Sequence, residues 1–131
     1  MIKGGGKVIY KDLSYKIIGC LYEVYNELGY GFQEKIYERA ICKNLIINKI
    51  NYKNQVPYTI SFKGEVVGRY YLDFLIENKI ILEIKKGNYY SRKNIDQVKG
   101  YLKVTEMKLA ILANFTSNGV KFLRILNIKK I

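Results

Sequence analysis

The sequence predicts an α/β sandwich in which helices cover a mixed sheet. Three features carry that reading: a helical apolar period before residue 50, β-branched and aromatic runs cut by turns after it, and one amphipathic stretch between two later strand-like runs. The elements follow in the order α-α-β-β-β-α-β-β, and a long crossover helix returning to the sheet marks helices layered on strands. With 131 residues the chain has room for one domain with a real core. That domain is placed at residues 10–131, behind a loose arm at residues 1–9 containing Gly4-Gly5-Gly6.

From Asp12, a candidate N-cap, Leu13, Ile17, Leu21, Val24 and Leu28 recur at three- and four-residue steps until Gly29 and Gly31 end the first helix. A second helix spans about residues 33–48 with Ile36, Tyr37, Ala40, Ile41 and Leu45 on one stripe. Residues 56–62, 65–76 and 79–84 read as strands, joined by a tight turn at Lys63-Gly64 and a short loop at Glu77-Asn78-Lys79. Ser91 caps a third helix carrying Ile95, Val98, Tyr101 and Leu102. Strands at residues 109–114 and 121–126, with a turn at Ser117-Asn118-Gly119 between them, complete the sheet.

Composition removes whole chemistries. The chain has no His, which excludes Ser-His-Asp and Cys-His sites and histidine-bound metals. Two cysteines, Cys20 and Cys42, make neither a four-ligand zinc site nor a disulfide framework, and both read as small apolar residues. No apolar run approaches the roughly 18 residues that span a bilayer. The opening Met1-Ile2-Lys3 lacks the apolar core of a secretion signal, so a cytoplasmic protein without a membrane role is expected.

The net charge is +12, and it is lopsided: residues 1–78 hold 11 basic and 8 acidic side chains, residues 79–131 hold 12 and 3. A field of that sign attracts phosphate chains, so nucleic acid is the first partner to consider and an anionic membrane surface the second.

The informative residues are charges embedded in apolar strands, where an unpaired charge is costly. Asp73 lies within Tyr71-Leu72-Asp73-Phe74-Leu75, and Glu83 and Lys85 within Ile80-Ile81-Leu82-Glu83-Ile84-Lys85. Strand alternation puts Glu83 and Lys85 on one face. A loop centred on Asn78 would set Asp73 opposite Glu83 and Tyr71 opposite Lys85. Facing carboxylates destabilise a sheet unless something compensates. A divalent cation held by hard oxygen ligands would do so, which favours Mg²⁺ or Mn²⁺ over zinc and points to metal-dependent phosphodiester chemistry, with a structural ion cluster as the alternative.

Gly31-Phe32-Gln33-Glu34-Lys35-Ile36-Tyr37 resembles the Gly-x-x-Glu-x-x-Tyr signature of the GxxExxY proteins, members of the PD-(D/E)XK nuclease superfamily. Gln55-Val56-Pro57, Tyr71-Leu72-Asp73, Leu82-Glu83-Ile84-Lys85, Gln97 with Tyr101-Leu102, and Leu112-Ala113-Asn114-Phe115 are similar to that family's later blocks, in order, so the resemblance covers about residues 10–127. It implies a restriction-endonuclease-like αβββαβ core with an extra N-terminal helix and a C-terminal strand. It also implies Asp73, Glu83 and the Ile84 carbonyl as metal ligands, Lys85 as the residue acting on water and on developing charge, Glu34 as a ligand of a second metal or its water, and Gln97 as a further site residue. Glu34 has an ordinary reading too, as a first-turn acid favoured by the helix dipole, and Gln97 as a solvated helix residue. The His residues that members often carry in the first helix and before the helix Gln are absent here; Val24-Tyr25 occupies the first place.

Tyr89, Tyr90, Arg92 and Lys93 pair stacking aromatics with phosphate-binding cations beside the Glu-x-Lys strand and form the expected nucleic-acid contact patch. Tyr37 and Tyr101 lie at helical spacing and are assigned to core packing. The expected function is a Mg²⁺- or Mn²⁺-dependent nuclease with DNA as the favoured substrate. A non-cleaving nucleic-acid-binding module of the same fold and a small protein-interaction domain are the alternatives.

Overall fold

The computed structural model describes residues 8–89 and 91–130. Tyr90 and residues 1–7, most of the expected arm, lie outside the described residues. Helices α1 (Lys11–Leu28) and α2 (Glu34–Ile47) precede strands β1 (Tyr52–Phe62), β2 (Glu65–Ile76) and β3 (Ile80–Lys86). Helix α3 (Arg92–Thr105), strands β4 (Leu109–Thr116) and β5 (Gly119–Leu126), and a short 3₁₀ turn at Ile128–Lys130 follow. The sheet order is β1-β2-β3-β4-β5, with β3 and β4 parallel across the α3 crossover and the other neighbours antiparallel. This is the mixed α/β, restriction-endonuclease-like architecture expected from the sequence.

The sheet separates two apolar layers. Ile17, Leu21, Tyr37, Ile41 and Leu45 of α1 and α2 pack on Phe74, Ile76, Ile80, Leu82, Ile84 and Ile111. On the other face Val98, Tyr101 and Leu102 of α3 pack on Leu72, Leu75, Ile81, Ala110 and Leu112. The central strands β3 and β4 are therefore covered on both faces, as their near-continuous apolar sequences require.

Several boundaries differ from the sequence reading. Tyr10, in the left-handed region, is the N-cap of α1, and Asp12 lies in the first turn, where the helix dipole still favours it. In α2 the buried stripe takes Glu38, while Ile36 stays exposed. Strand β1 begins at Tyr52 because Tyr52, Lys53 and Asn54, a weak strand signal by themselves, are held by pairing with β2. Ser91 does cap α3, its hydroxyl accepting the Asn94 N–H at 3.1 Å. Ile9 packs against the helical core, and its carbonyl accepts from the Arg124 guanidinium at 2.6 Å.

The Gly31-x-x-Glu34-x-x-Tyr37 motif has a local structural reason. Gly31 turns the chain at φ 117°, which favours glycine. Fully buried Tyr37 then closes the α1–α2 connection by donating to the Gly29 carbonyl at 2.6 Å and packing on Phe115. Tyr37 and Tyr101 are both core residues, and Cys20 is a buried free thiol.

Candidate active site

The site forms where β2 and β3 separate. Their ladder runs Ile76↔Ile80, Leu75↔Ile81 and Phe74↔Leu82, the register centred on Asn78, and then stops. At the next step Asp73 turns its carboxylate across the gap, and Oδ2 accepts the Ile84 N–H at 2.9 Å. Glu83, one residue past the last paired position Leu82, is 3% exposed. Lys85 Nζ lies 3.2 Å from Glu83 Oε2. Asp73, Glu83 and Lys85 are thus brought together, as their spacing implies.

The expected pairing of Tyr71 with Lys85 does not form. On β2 Phe74 and Ile76 face α1 and α2, yet Leu72 and Tyr70 face α3, so the alternation breaks at Asp73. Strand β1 breaks with it: Tyr52 belongs to the α1–α2 layer and Val56 to the α3 layer. The crossing point is Gln55, held at φ 54°, a conformation that non-glycine residues seldom adopt. In consequence Tyr71 turns outward, paired with Pro57, and Tyr70 turns toward Lys85.

That crossing explains the polar network behind the fork. Gln55 Nε2 donates to Asp73 Oδ1 at 3.2 Å and to Glu38 Oε2 at 2.6 Å. Asn54 Nδ2 donates to the same Glu38 oxygen at 2.7 Å and to the Asp73 carbonyl at 2.8 Å. Glu38 of α2 is therefore wired to Asp73, while Glu34, one turn earlier on the same helix face, is exposed in the first turn. Sequence reasoning missed Glu38, Gln55 and Tyr70. Two signals were available: Glu38 is an acid among the apolar stripe positions of α2, and Gln55 opens the Gln55-Val56-Pro57 block.

Electrostatics distinguish the two strand acids. Burial first, and then the Asp73 charge, push the Glu83 carboxyl up to about 8, against the partial opposing pull of Lys85. Glu83 Oε1 is buried without a hydrogen-bond partner. The Asp73 carboxyl is also raised, by burial and by Glu38, while the Ile84 N–H, Gln55 and Lys85 restrain it. Burial and the charges of Glu83 and Asp73 raise the Tyr101 hydroxyl, which therefore stays protonated.

Outside the fork lies an open cleft of about 600 Å³ lined by Tyr70, Lys85, Lys93, Asn94, Asp96 and Gln97. Gln97 thus shares the cleft with Lys85. Arg92 and Lys93 are exposed at the start of α3, and Tyr89 is 88% exposed just before it. Lys86 points away from this group, with its ammonium 5.9 Å from the Tyr30 ring. Among the described residues no three acidic or cysteine side chains converge as a ready-made metal cage. The fork does offer two hard carboxylates and an unpartnered buried oxygen, a donor set suited to a hard divalent cation.

The PD-(D/E)XK nuclease superfamily model matches residues 11–125, and the chain belongs to that superfamily. The solved structure of SSO0001 superposes with a TM-score of 0.53 at 23% identity, covering 70% of this chain and 48% of that one, a likeness of fold. The chain is also 30% identical over 120 residues to the ATP-dependent DNA helicase Rep of Escherichia coli and to that of Salmonella typhimurium. It spans 82% of its own length in these matches but only 16% of each helicase. No helix of the described residues is long and apolar enough to cross a membrane.

Proposed function

We propose that this chain is a Mg²⁺- or Mn²⁺-dependent nuclease that hydrolyses phosphodiester bonds of DNA, and that within the superfamily it is a GxxExxY protein. The observation that carries the reading is the convergence of Asp73, Glu83 and Lys85 at the β2–β3 fork, beside a cleft that shares Lys85 with Lys93 and Gln97. Asp73, Glu83 and the Ile84 carbonyl would hold the cation, with Glu38 behind Asp73 and Glu34 at the rim of the same helix face. A bound cation supplies Lewis-acid polarisation of the phosphate and an acidified water.

The chain's own residues do the rest. Lys85 carries its ammonium at the cleft wall, where it donates a hydrogen bond that orients the attacking water and stabilises negative charge developing on the phosphate. Even with Lys85 beside it the Glu83 carboxyl sits at about 8, so ionising it at neutral pH needs a further positive charge at the fork, which a bound cation would supply. Gln97 orients substrate or water from α3. Tyr89, Tyr90, Arg92 and Lys93 contact the nucleic-acid backbone and bases next to the cleft. Residues 10–131 act as one nuclease domain, in the cytoplasm.

The test is direct: labelled single-stranded, double-stranded and branched DNA, and RNA, incubated with the protein in Mg²⁺, Mn²⁺ or EDTA. Cleavage of DNA with either metal and none in EDTA is expected. Binding without cleavage in any metal would favour a non-cleaving module.

A further inference from the structure

Beyond the fork β2 has no partner in β3. Its residues 65–72 pair only with β1, so the two strands continue as a free ribbon closed by the Lys63-Gly64 turn. At roughly 3.3 Å per residue this is an arm about 25 Å long. One face of its base is packed: Val56, Tyr58, Tyr70 and Leu72 lie against the α3 layer. The other face, with Pro57, Thr59, Arg69 and Tyr71, is exposed. The tip carries large apolar side chains in solvent, Phe62 at 63%, Val66 at 55% and Val67 at 62%, with the Lys63 ammonium 5.4 Å above the Phe62 ring. A folded chain leaves such a tip uncovered at a cost, and the ribbon rises from the cleft itself, since Tyr70 is both a ribbon residue and a cleft wall.

We propose that this ribbon is a clamp for double-stranded DNA, entering the major groove beside the cleft with Phe62 and Val67 at its tip and Arg69 on its exposed face. The inference rests on the nuclease reading and narrows its DNA substrate to the duplex. A two-stranded ribbon fits the major groove of B-form DNA, whereas the deep, narrow major groove of an RNA duplex does not admit side chains. Charge complementarity selects the polyanion over a second copy of this chain, because two copies would each bring a net charge of +12. Both edges of the ribbon also resist pairing with another chain: on β1 Pro57 lacks an N–H, and on β2 Val67 is the extra residue where the register shifts opposite Ile60 and Ser61.

The test compares the full chain with Phe62→Ser/Val67→Ser and, separately, with Arg69→Ala, in EDTA so that nothing is cut. Fluorescence anisotropy measures binding to duplex DNA, single-stranded DNA and duplex RNA of equal length, and light scattering measures mass. Each variant should weaken duplex DNA binding by about tenfold, the low end for removing one aromatic or cationic group from such an interface, and change the other two affinities less than about threefold. Mass should be that of the parent. Equal affinities for duplex DNA in parent and both variants, equal losses on all three nucleic acids, or a parent dimer that dissociates in the tip variant would each overturn the clamp. A parent that binds none of the three would instead overturn the nuclease reading beneath it.

Discussion

Asp73 Oδ2 accepts the Ile84 N–H at 2.9 Å, so a side chain of β2 completes the ladder that its backbone abandons at Phe74. Glu83 in turn accepts the Asp73 backbone N–H, but its Oε1 is buried unpartnered and its carboxyl is pushed up to about 8. Two acids that look equivalent in sequence therefore differ in what their loss would do to the fold.

Asp73→Ala would leave the Ile84 N–H and a Gln55 N–H without their acceptor and should cost about 1–3 kcal/mol of metal-free stability. Glu83→Gln removes a buried charge and should hold or raise the melting temperature at pH 8. Both should abolish cleavage. Thermal unfolding in EDTA checks the first two statements, and equal destabilisation by both substitutions would show that the acids form a single structural ion cluster.

Stability of the metal-free protein should fall with rising pH. The Glu83 carboxyl is raised from 4.5 to about 8 in the folded chain, so between those values the native state holds a proton that the unfolded state has released. The stabilisation is full below the unfolded value, is lost as pH rises through the folded one, and is flat above it; the upward shift of Asp73 adds the same sign at the acid end. Urea unfolding at pH 5, 7 and 9 measures the slope. Glu83→Gln should remove most of it, and an unchanged slope would assign the proton to another group.

Arg92→Ala/Lys93→Ala should weaken nucleic-acid binding across sequences and flatten its salt dependence, the slope falling by about 0.7–0.9 for each phosphate no longer neutralised. Titrations at several salt concentrations in EDTA measure this, and an identical slope would remove the start of α3 from the binding surface. Cutting at saturating protein should survive.

Glu38→Ala should reduce cleavage more than Glu34→Ala, because Glu38 is joined to Asp73 through Gln55 whereas Glu34 stands in solvent. Single-turnover rates of the two variants decide the order. A greater loss in Glu34→Ala would place the second acidic position a turn nearer the helix start.

Most of the fold was legible because its signals are local. Apolar periods marked α1 and α2, Ser91 marked α3, and the turn at Asn78 set the β2–β3 register as far as Phe74↔Leu82, just short of Asp73 and Glu83. The crossing of β1 and β2 was not legible, because it depends on Gln55 adopting a left-handed conformation that its residue type disfavours. The same crossing hid Tyr70, since plain two-residue alternation selects Tyr71, and it hid the connection of Glu38, whose partners Asn54 and Gln55 come from a distant strand. Burial of Glu38 could be sensed only as an acid on an apolar stripe.

The central claim is that Lys85 acts in the chemistry and does not merely add positive charge. Lys85→Met keeps the aliphatic stem and removes the ammonium beside Glu83, and Lys86→Met is the matched control on the opposite face of β3. Single-turnover cleavage of labelled DNA in Mg²⁺ should fall at least about 100-fold in Lys85→Met, the scale of a missing charge-stabilising group, with binding reduced by no more than the worth of one phosphate interaction. Lys86→Met should cut nearly as well as the parent. Equal and small losses in the two variants would contradict the account, leaving Lys85 an ordinary surface cation and the fork without its catalytic residue.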